Sequence, residues 1–334
     1  MLSGFVLIYA YYKRITIGKF TAIKSYYIAR IAKIYPVHLL TFALAIPLAF
    51  YVVHASGVAE FLKQAVANVF LVQSFSPHIP YYFAFNAVSW SISDELFFYL
   101  LMPVFIFIAF RLRNKLSIGK LVLSMLVIWL AMVALLTSKV AVLDQWAYYV
   151  LPLIRLPDFV LGILLCLVYW KSQSTKLNSI RTTWFSLAEI SALTLLVMGF
   201  IGDAHLPQAL HFDVGFLPFW TILIFVFAHE RGIISKLLGR RPFVFLGEIS
   251  FSFYMLHQLV IRYLWHYNIK PVAPIAFTIT LVGSVALFLL YEESVRKLVR
   301  NKLEAKLVWP RKKQRHSASR RGILELRTNS FYSH

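Results

Sequence analysis

Two adjacent carboxylates, Asp94 and Glu95, stand inside an apolar run that reaches Phe110, long enough to cross a bilayer as a helix. On that helix Ser91, Glu95 and Tyr99 follow at i, i+4, i+8 and share one face, with Asp94 turned about 100° away. An ionised side chain near the bilayer centre costs at least ~2.5 kcal/mol on insertion scales, so this face should meet protein or water. The same tension recurs twice further on. Residues 151–162 carry Arg155 and Asp158 at i, i+3, close enough to pair, and Pro152 and Pro157 should bend or interrupt this helix. Ser250, Tyr254 and His257 fall on one stripe at i, i+4, i+7, with Arg262 nearer the helix end. A carboxylate, a guanidinium and an imidazole buried together suit acid–base chemistry in a polar chamber. They equally suit an ion-pair network that locks a bundle. For Asp94 and Glu95 a third reading is a helix start near the headgroups, capped by Ser89 or Ser91.

The elements that must carry these groups are read from composition. The chain has 334 residues, 60% of them hydrophobic and only 14% charged, where a soluble domain holds roughly 25% charged residues. This is an all-α, polytopic membrane protein. Apolar segments lie near 1–12, 34–53, 88–110, 120–137, 147–170, 184–201, 213–230, 244–264 and 273–292, a bundle of about nine helices. Eight are long enough to span. The first is not, since twelve residues rise only ~18 Å against ~30 Å of hydrocarbon. The segments between them alternate in charge: 13–33, 111–120, 171–183, 231–243 and the tail from Arg296 hold 29 Lys and Arg, and the other set holds 3. The positive-inside rule therefore puts the basic set and the C-terminus in the cytoplasm. By the same topology Glu95, Arg155 and His257 each lie ~12 Å below the outer boundary, with Asp158 ~5 Å deeper.

The net charge of +20 could suggest nucleic acid, but the tail cations, Arg311–Arg315 and Arg320–Arg321, come with no folded reading surface. An anchor on anionic headgroups is the simpler reading. The histidines are scattered with no metal-ligand spacing, so no metal is expected. The lone Cys166 excludes an internal disulfide. Arg30 and Lys33 share a helical face just before a span. They are ordinary positive-inside flanking residues or, more sharply, a phosphate clamp for an anionic cytosolic cosubstrate.

In this order the motifs resemble the acyltransferase-3 family of integral membrane acyltransferases. Leu2-Ser-Gly-Phe-Val-Leu is similar to the family's second helix. Arg30-Ile-Ala-Lys-Ile-Tyr-Pro36 is similar to its basic loop, with Lys33 in the place of the usual Arg. Ser89-Trp-Ser-Ile-Ser-Asp-Glu95-Leu-Phe-Phe-Tyr99 carries its most recognisable signature, with Glu95 at the family's Glu. Arg155-Leu-Pro-Asp-Phe-Val-Leu-Gly162 has Asp158 for the commoner Glu. Residues 246–257 and Tyr291-Glu-Glu-Ser-Val-Arg296 resemble the last two helices, with Ser294 where Pro is usual.

The resemblance implies a membrane domain over 1–295, followed by a basic cytoplasmic tail over 296–334. It implies transfer of an acyl group, usually acetyl, from cytosolic acyl-CoA to a hydroxyl of an exported glycan or lipid-linked sugar at the cell envelope. A bacterial inner membrane is the expected location, with acyl-CoA, the sugar acceptor and lipids as partners and no nucleic acid. Glu95 could orient or assist a base, Arg155 held by Asp158 could stabilise the oxyanion, and His257 could act as a base itself. Ser89, Trp90, Ser91 and Tyr99 are expected to line the substrate side, where Trp90 and Tyr99 could stack on a sugar ring. The family pattern has ten helices, and its first carries the histidine thought to be the base. This chain is expected to begin after that helix. A truncated, inactive homologue is thus an alternative, and a transporter a more distant one, since no paired repeats are seen.

Overall fold

The computed structural model describes residues 1–138, 146–173, 182–203, 207–211, 214–270 and 272–307. Among them every regular element is helical and none is a strand. In hydrocarbon a backbone must satisfy its own N–H and C=O groups, and the long apolar runs do so as helices. Seven helices are long and apolar enough to cross a membrane: Phe20–Ala49, Ala87–Leu112, Ile118–Thr137, Trp146–Ser172, Thr182–Gly202, Arg241–His266 and Val272–Val299.

The first element, α1 (Leu2–Ala49), is helical along its length, yet it is not a straight rod. Arg30 donates to the Tyr11 hydroxyl at 3.0 Å, and the rings of Tyr11 and Tyr26 lie 4.9 Å apart. In a straight helix residues 11 and 26 would be ~22 Å apart, so the chain doubles back between them. The expected basic loop over 13–33 is therefore a reversal between two helical limbs, and Arg30 and Lys33 belong to the second limb. The expected outer loop over 54–87 is also corrected. Helix α2 (Tyr51–Val69) occupies much of it, broken at Gly57, whose φ of +84° only glycine adopts readily. A 3₁₀ turn (Gln73–Phe75) and the short α3 (Ile79–Tyr82) then lead to α4 (Trp90–Leu112) and α5 (Ile118–Thr137).

Helix α6 (Pro152–Ser172) is the centre of the bundle: 56% of its apolar stretch is buried, against 39% or less for every other candidate span. A π turn over Trp146–Val150 precedes it. Pro152 sits at its first turn, where a missing N–H is harmless, and Pro157 lies inside without ending the helix. The interruption expected from two prolines is thus confined to the helix start. The first limb of α1 crosses α6 at backbone contact. A Cβ on Gly4 would collide with the Phe159 carbonyl, and one on Gly162 with the Met1 carbonyl. Small residues permit this closeness where packing, not hydrophobicity, drives helix association.

Helix α7 (Thr182–Gly202) is followed by α8 (Gln208–His211) and α9 (Leu217–Phe227). With its leading turn α9 covers only Val214–Phe227, so the span expected at 213–230 is shorter than a full crossing. A buried carboxylate on α7 then organises the next turn. Glu189 accepts from the backbone N–H groups of Gly232, Ile234 and Ser235 at 3.1, 2.9 and 3.3 Å and from the Ser235 hydroxyl, capping α10 (Ile233–Leu238). Helices α11 (Arg241–His266) and α12 (Val272–Leu287) pack side by side. A π turn at Phe288–Glu292 joins α12 to α13 (Glu293–Leu307), which packs on α1. The proposed boundary at residue 295 falls within this helical path, and Arg311–Arg321 lie outside the described residues.

Candidate active site

The start of α4 is fastened before any chemistry is placed on it. Gln73 donates to the Ser89 carbonyl and hydroxyl at 3.1 and 3.2 Å, and the Ser89 hydroxyl donates to Asn68 at 3.2 Å. Ser93 donates to the Leu71 carbonyl at 2.6 Å and pairs with Ser74 at 2.7 Å. Ser89 is 0% exposed and belongs to this anchor, not to the face that Ser91 presents. Nor are Asp94 and Glu95 a helix start. The helix begins at Trp90, Ser89 makes no side-chain cap bond, and no acidic residue lies in the first turn. Asp94 is buried beside Ser74 and within electrostatic reach of Arg155.

The face anticipated from spacing exists. Tyr99 donates to Glu95 at 2.6 Å across one helical turn, and the Ser3 hydroxyl also reaches the Tyr99 phenol. The second limb of α1 covers this pair: Tyr26 donates to the Tyr99 carbonyl at 3.1 Å, and the Arg30 guanidinium lies 5.8 Å from the Tyr99 ring and 5.3 Å from that of Tyr11. Lys33 stands within electrostatic reach of Arg30, Glu95, Glu292 and Arg296. Arg30 and Lys33 therefore adjoin the Glu95–Tyr99 pair, not a separate surface loop. Glu292, 1% exposed, accepts from Ser252 at 2.6 Å. Helical spacing assigns Ser252 and Glu292 no role. The π turn shifts the helical phase there, so a 3.6-residue period projects Glu292 onto the wrong face.

On the other side of α4, Arg155 donates from Nε to the Tyr149 carbonyl at 2.9 Å and pairs with Asp158 at 3.5 Å. Its guanidinium lies 5.9 Å from the Trp90 ring and 5.4 Å from the Tyr149 ring, and those rings are 4.8 Å apart. The expected i, i+3 pair is present, and aromatic faces add a second hold on the cation.

Helix α11 meets the start of α4 from a third side. The Tyr254 hydroxyl meets Ser91 at 2.8 Å and is within reach of Glu95 and Asp94. His257 places Nδ1 2.6 Å from the Tyr254 carbonyl. A carbonyl only accepts, so Nδ1 carries a proton, and in the neutral ring the lone pair is then on Nε2. The His257 ring lies 5.6 Å from that of Tyr254 and stacks on Phe253. Ser250 leaves this stripe: it is exposed and bonds back to Gly247. Arg262 is spent on a seam, donating to the Phe85 carbonyl, as Asn86 donates to that of Met255 at 2.9 Å. Among the described residues no three His, Cys, Asp or Glu side chains gather as a metal site.

The family profile described as "Acyltransferase domain" matches residues 1–293. The "Acyltransferase MdmB" of Streptomyces mycarofaciens is 28% identical over 283 residues, covering 79% of this chain and 66% of that protein. A "Putative O-acetyltransferase" of Staphylococcus aureus strain COL is 20% identical over 288 residues, covering 82% of this chain and 47% of that protein. The chain thus spans about two thirds of the first relative and about half of the second. No solved structure matches it.

Proposed function

The chain belongs to the acyltransferase-3 family, and from that premise we propose that it moves an acyl group, acetyl by preference, from cytosolic acyl-CoA to a sugar hydroxyl of a glycan or lipid-linked saccharide. The observation that carries this reading is the gathering of three polar groups around the start of α4: Glu95 with Tyr99 on one side, Arg155 with Asp158 on the other, and Tyr254, bonded to Ser91 and followed by His257, within reach of both Glu95 and Asp94.

In this mechanism His257 Nε2 takes the proton of the acceptor hydroxyl as its oxygen attacks the thioester carbonyl. The tetrahedral oxyanion is stabilised by the Arg155 guanidinium, whose position Asp158 and Tyr149 fix before reaction. Collapse breaks the carbon–sulfur bond, and the imidazolium returns its proton to the leaving thiolate. Glu95, already bonded to Tyr99, supports the cationic imidazolium across the chamber. Arg30 and Lys33 draw the donor's phosphates toward the Glu95 side from the basic end of the bundle, which the charge alternation assigns to the cytoplasm. Ser91, Trp90 and Tyr99 form the acceptor wall. Orientation follows from the same reading: C-terminus in the cytoplasm of a multi-pass inner-membrane protein.

The test is reconstitution into sealed proteoliposomes, with radiolabelled acetyl-CoA supplied on one side and glycan acceptor on the other. Label transfer that depends on Glu95 and on donor at the basic face supports the reading. Transfer that is equal with Glu95→Gln, or absent from every acceptor tried, defeats it.

A further inference from the structure

A second concavity lies at the basic end, on another flank of α1. It encloses about 780 Å³ between the first limb of α1 and the end of α4, lined by Tyr12, Lys13, Phe110, Arg111, Arg113 and Lys115 among others. Tyr12 follows Tyr11 by one residue, so it points about 100° away from the side that holds Arg30. Along α4, Arg111 is sixteen residues from Glu95, about 24 Å. The groove is therefore not the chamber.

Four cations from two segments converge here, and among the described residues none of them has an ion-paired carboxylate. Ordinary flanking cations splay into solvent. Arg113 does not: its guanidinium is held 5.5 Å from the Tyr12 ring and 5.2 Å from the Trp170 ring. Beside the cations stand the exposed apolar side chains Ile17, Phe107 and Phe110. A cationic pocket with an apolar border at the end of a membrane helix matches a lipid, with headgroup phosphate on the charges and acyl chains along the border. Four positive charges exceed what one phosphodiester balances.

We propose that this groove binds the headgroup of an anionic glycerophospholipid, preferentially one carrying two phosphates. The proposal is independent of the acyl-transfer reading, and its test needs no turnover. The full chain is placed in phosphatidylcholine nanodiscs and titrated with diphosphatidylglycerol, bound lipid being counted by native mass spectrometry. Replacing the three exposed cations together (Lys13→Gln, Arg111→Gln, Lys115→Gln) should weaken binding at least about tenfold, the effect of losing one or two charge-assisted contacts. Neutralising Lys236 and Arg240, basic-end residues outside the groove, should change it less than twofold. Equal losses in both variants would mean diffuse attraction and overturn the proposal. So would displacement of the lipid by adenosine 3′,5′-bisphosphate, which would mark a nucleotide site. If the triple variant does not assemble, Lys115→Gln alone decides, with unchanged lipid binding counting against the site.

Discussion

Glu95 and His257 have different roles in the proposed mechanism, and a single substitution tests each. Glu95→Gln keeps the shape and the Tyr99 bond but removes the charge that attracts Lys33 and that the proposed mechanism uses to support an imidazolium. It is expected to lower acyl transfer by about 10²-fold or more with membrane levels nearly unchanged. Wild-type acylation by this variant, measured beside immunoblotted protein, would make Glu95 structural. His257→Ala is expected to cost a similar factor in turnover, because the Nε2 lone pair is lost while Tyr254 still holds Ser91. If His257→Ala transfers acyl groups at the wild-type rate, the base is another group and His257 only packs on Phe253. The two carboxylates of α4 are likewise distinct. Asp94, buried beside Ser74, faces Arg155, whereas Glu95 faces the tyrosines.

At the scale of elements, two contacts hold helices in place, one beside the proposed site and one away from it. The crossing of α1 and α6 rests on glycine, since a Cβ at Gly162 would occupy the place of the Met1 carbonyl. Gly162→Val should therefore push the two helices apart, destabilising the fold by about 1–3 kcal/mol as overpacking does. Thermal unfolding in detergent, followed by size-exclusion chromatography, checks this, and an unchanged midpoint would mean that the helices slide without cost. Glu189 holds α10 by four donors at once, and Gly232 lies so close that any Cβ would meet the carboxylate. Glu189→Ala leaves several buried donors unpaired and should cost ~1–3 kcal/mol. The loss should show as faster proteolysis near residues 231–240. Acyl transfer per folded molecule should stay the same, because Glu189 is not part of the chamber.

Across the whole molecule, the alternation of charge and the placement of Arg30 and Lys33 are what would give the proposed reaction a direction. In the proposed reaction, donor enters from the basic end, and the acceptor meets it beside α4, α6 and α11. Neutralising Arg30 and Lys33 together should raise the apparent KM for acyl-CoA at least tenfold, since each lost charge-assisted bond is worth roughly 1.5–3 kcal/mol. The acceptor KM should change little. An unchanged donor KM in proteoliposomes would leave these residues only their orienting role in the bilayer. Accessibility labelling of cysteines introduced at 115 and 270 should place the two positions on opposite faces, and labelling from the same face would invert the scheme.

Composition, charge alternation and helical spacing alone determined the all-α membrane class and the approximate positions of the long spans. They also determined the Glu95–Tyr99 and Arg155–Asp158 pairs. These properties are local: a period of 3.6 residues fixes which neighbours on one helix can touch. The motifs likewise pointed to the family that the profile over residues 1–293 shows. What lay beyond sequence depends on contacts between segments far apart in the chain. The alternation of charge already implies a turn between 1–12 and 34–53, but no periodicity within 13–33 signals that the turn is helical or that it brings Arg30 to Tyr11 and Tyr99. Ser89 shares a motif with Trp90 and Ser91 and so reads as a substrate contact, but Gln73 and Asn68 claim it from a turn and another helix. The π turn at Phe288–Glu292 rotates Glu292 toward Ser252 and Lys33. Local spacing is set by one helix's geometry; the partners of a buried polar group are set by whichever distant segment packing brings within hydrogen-bond reach, and only the tertiary structure decides that.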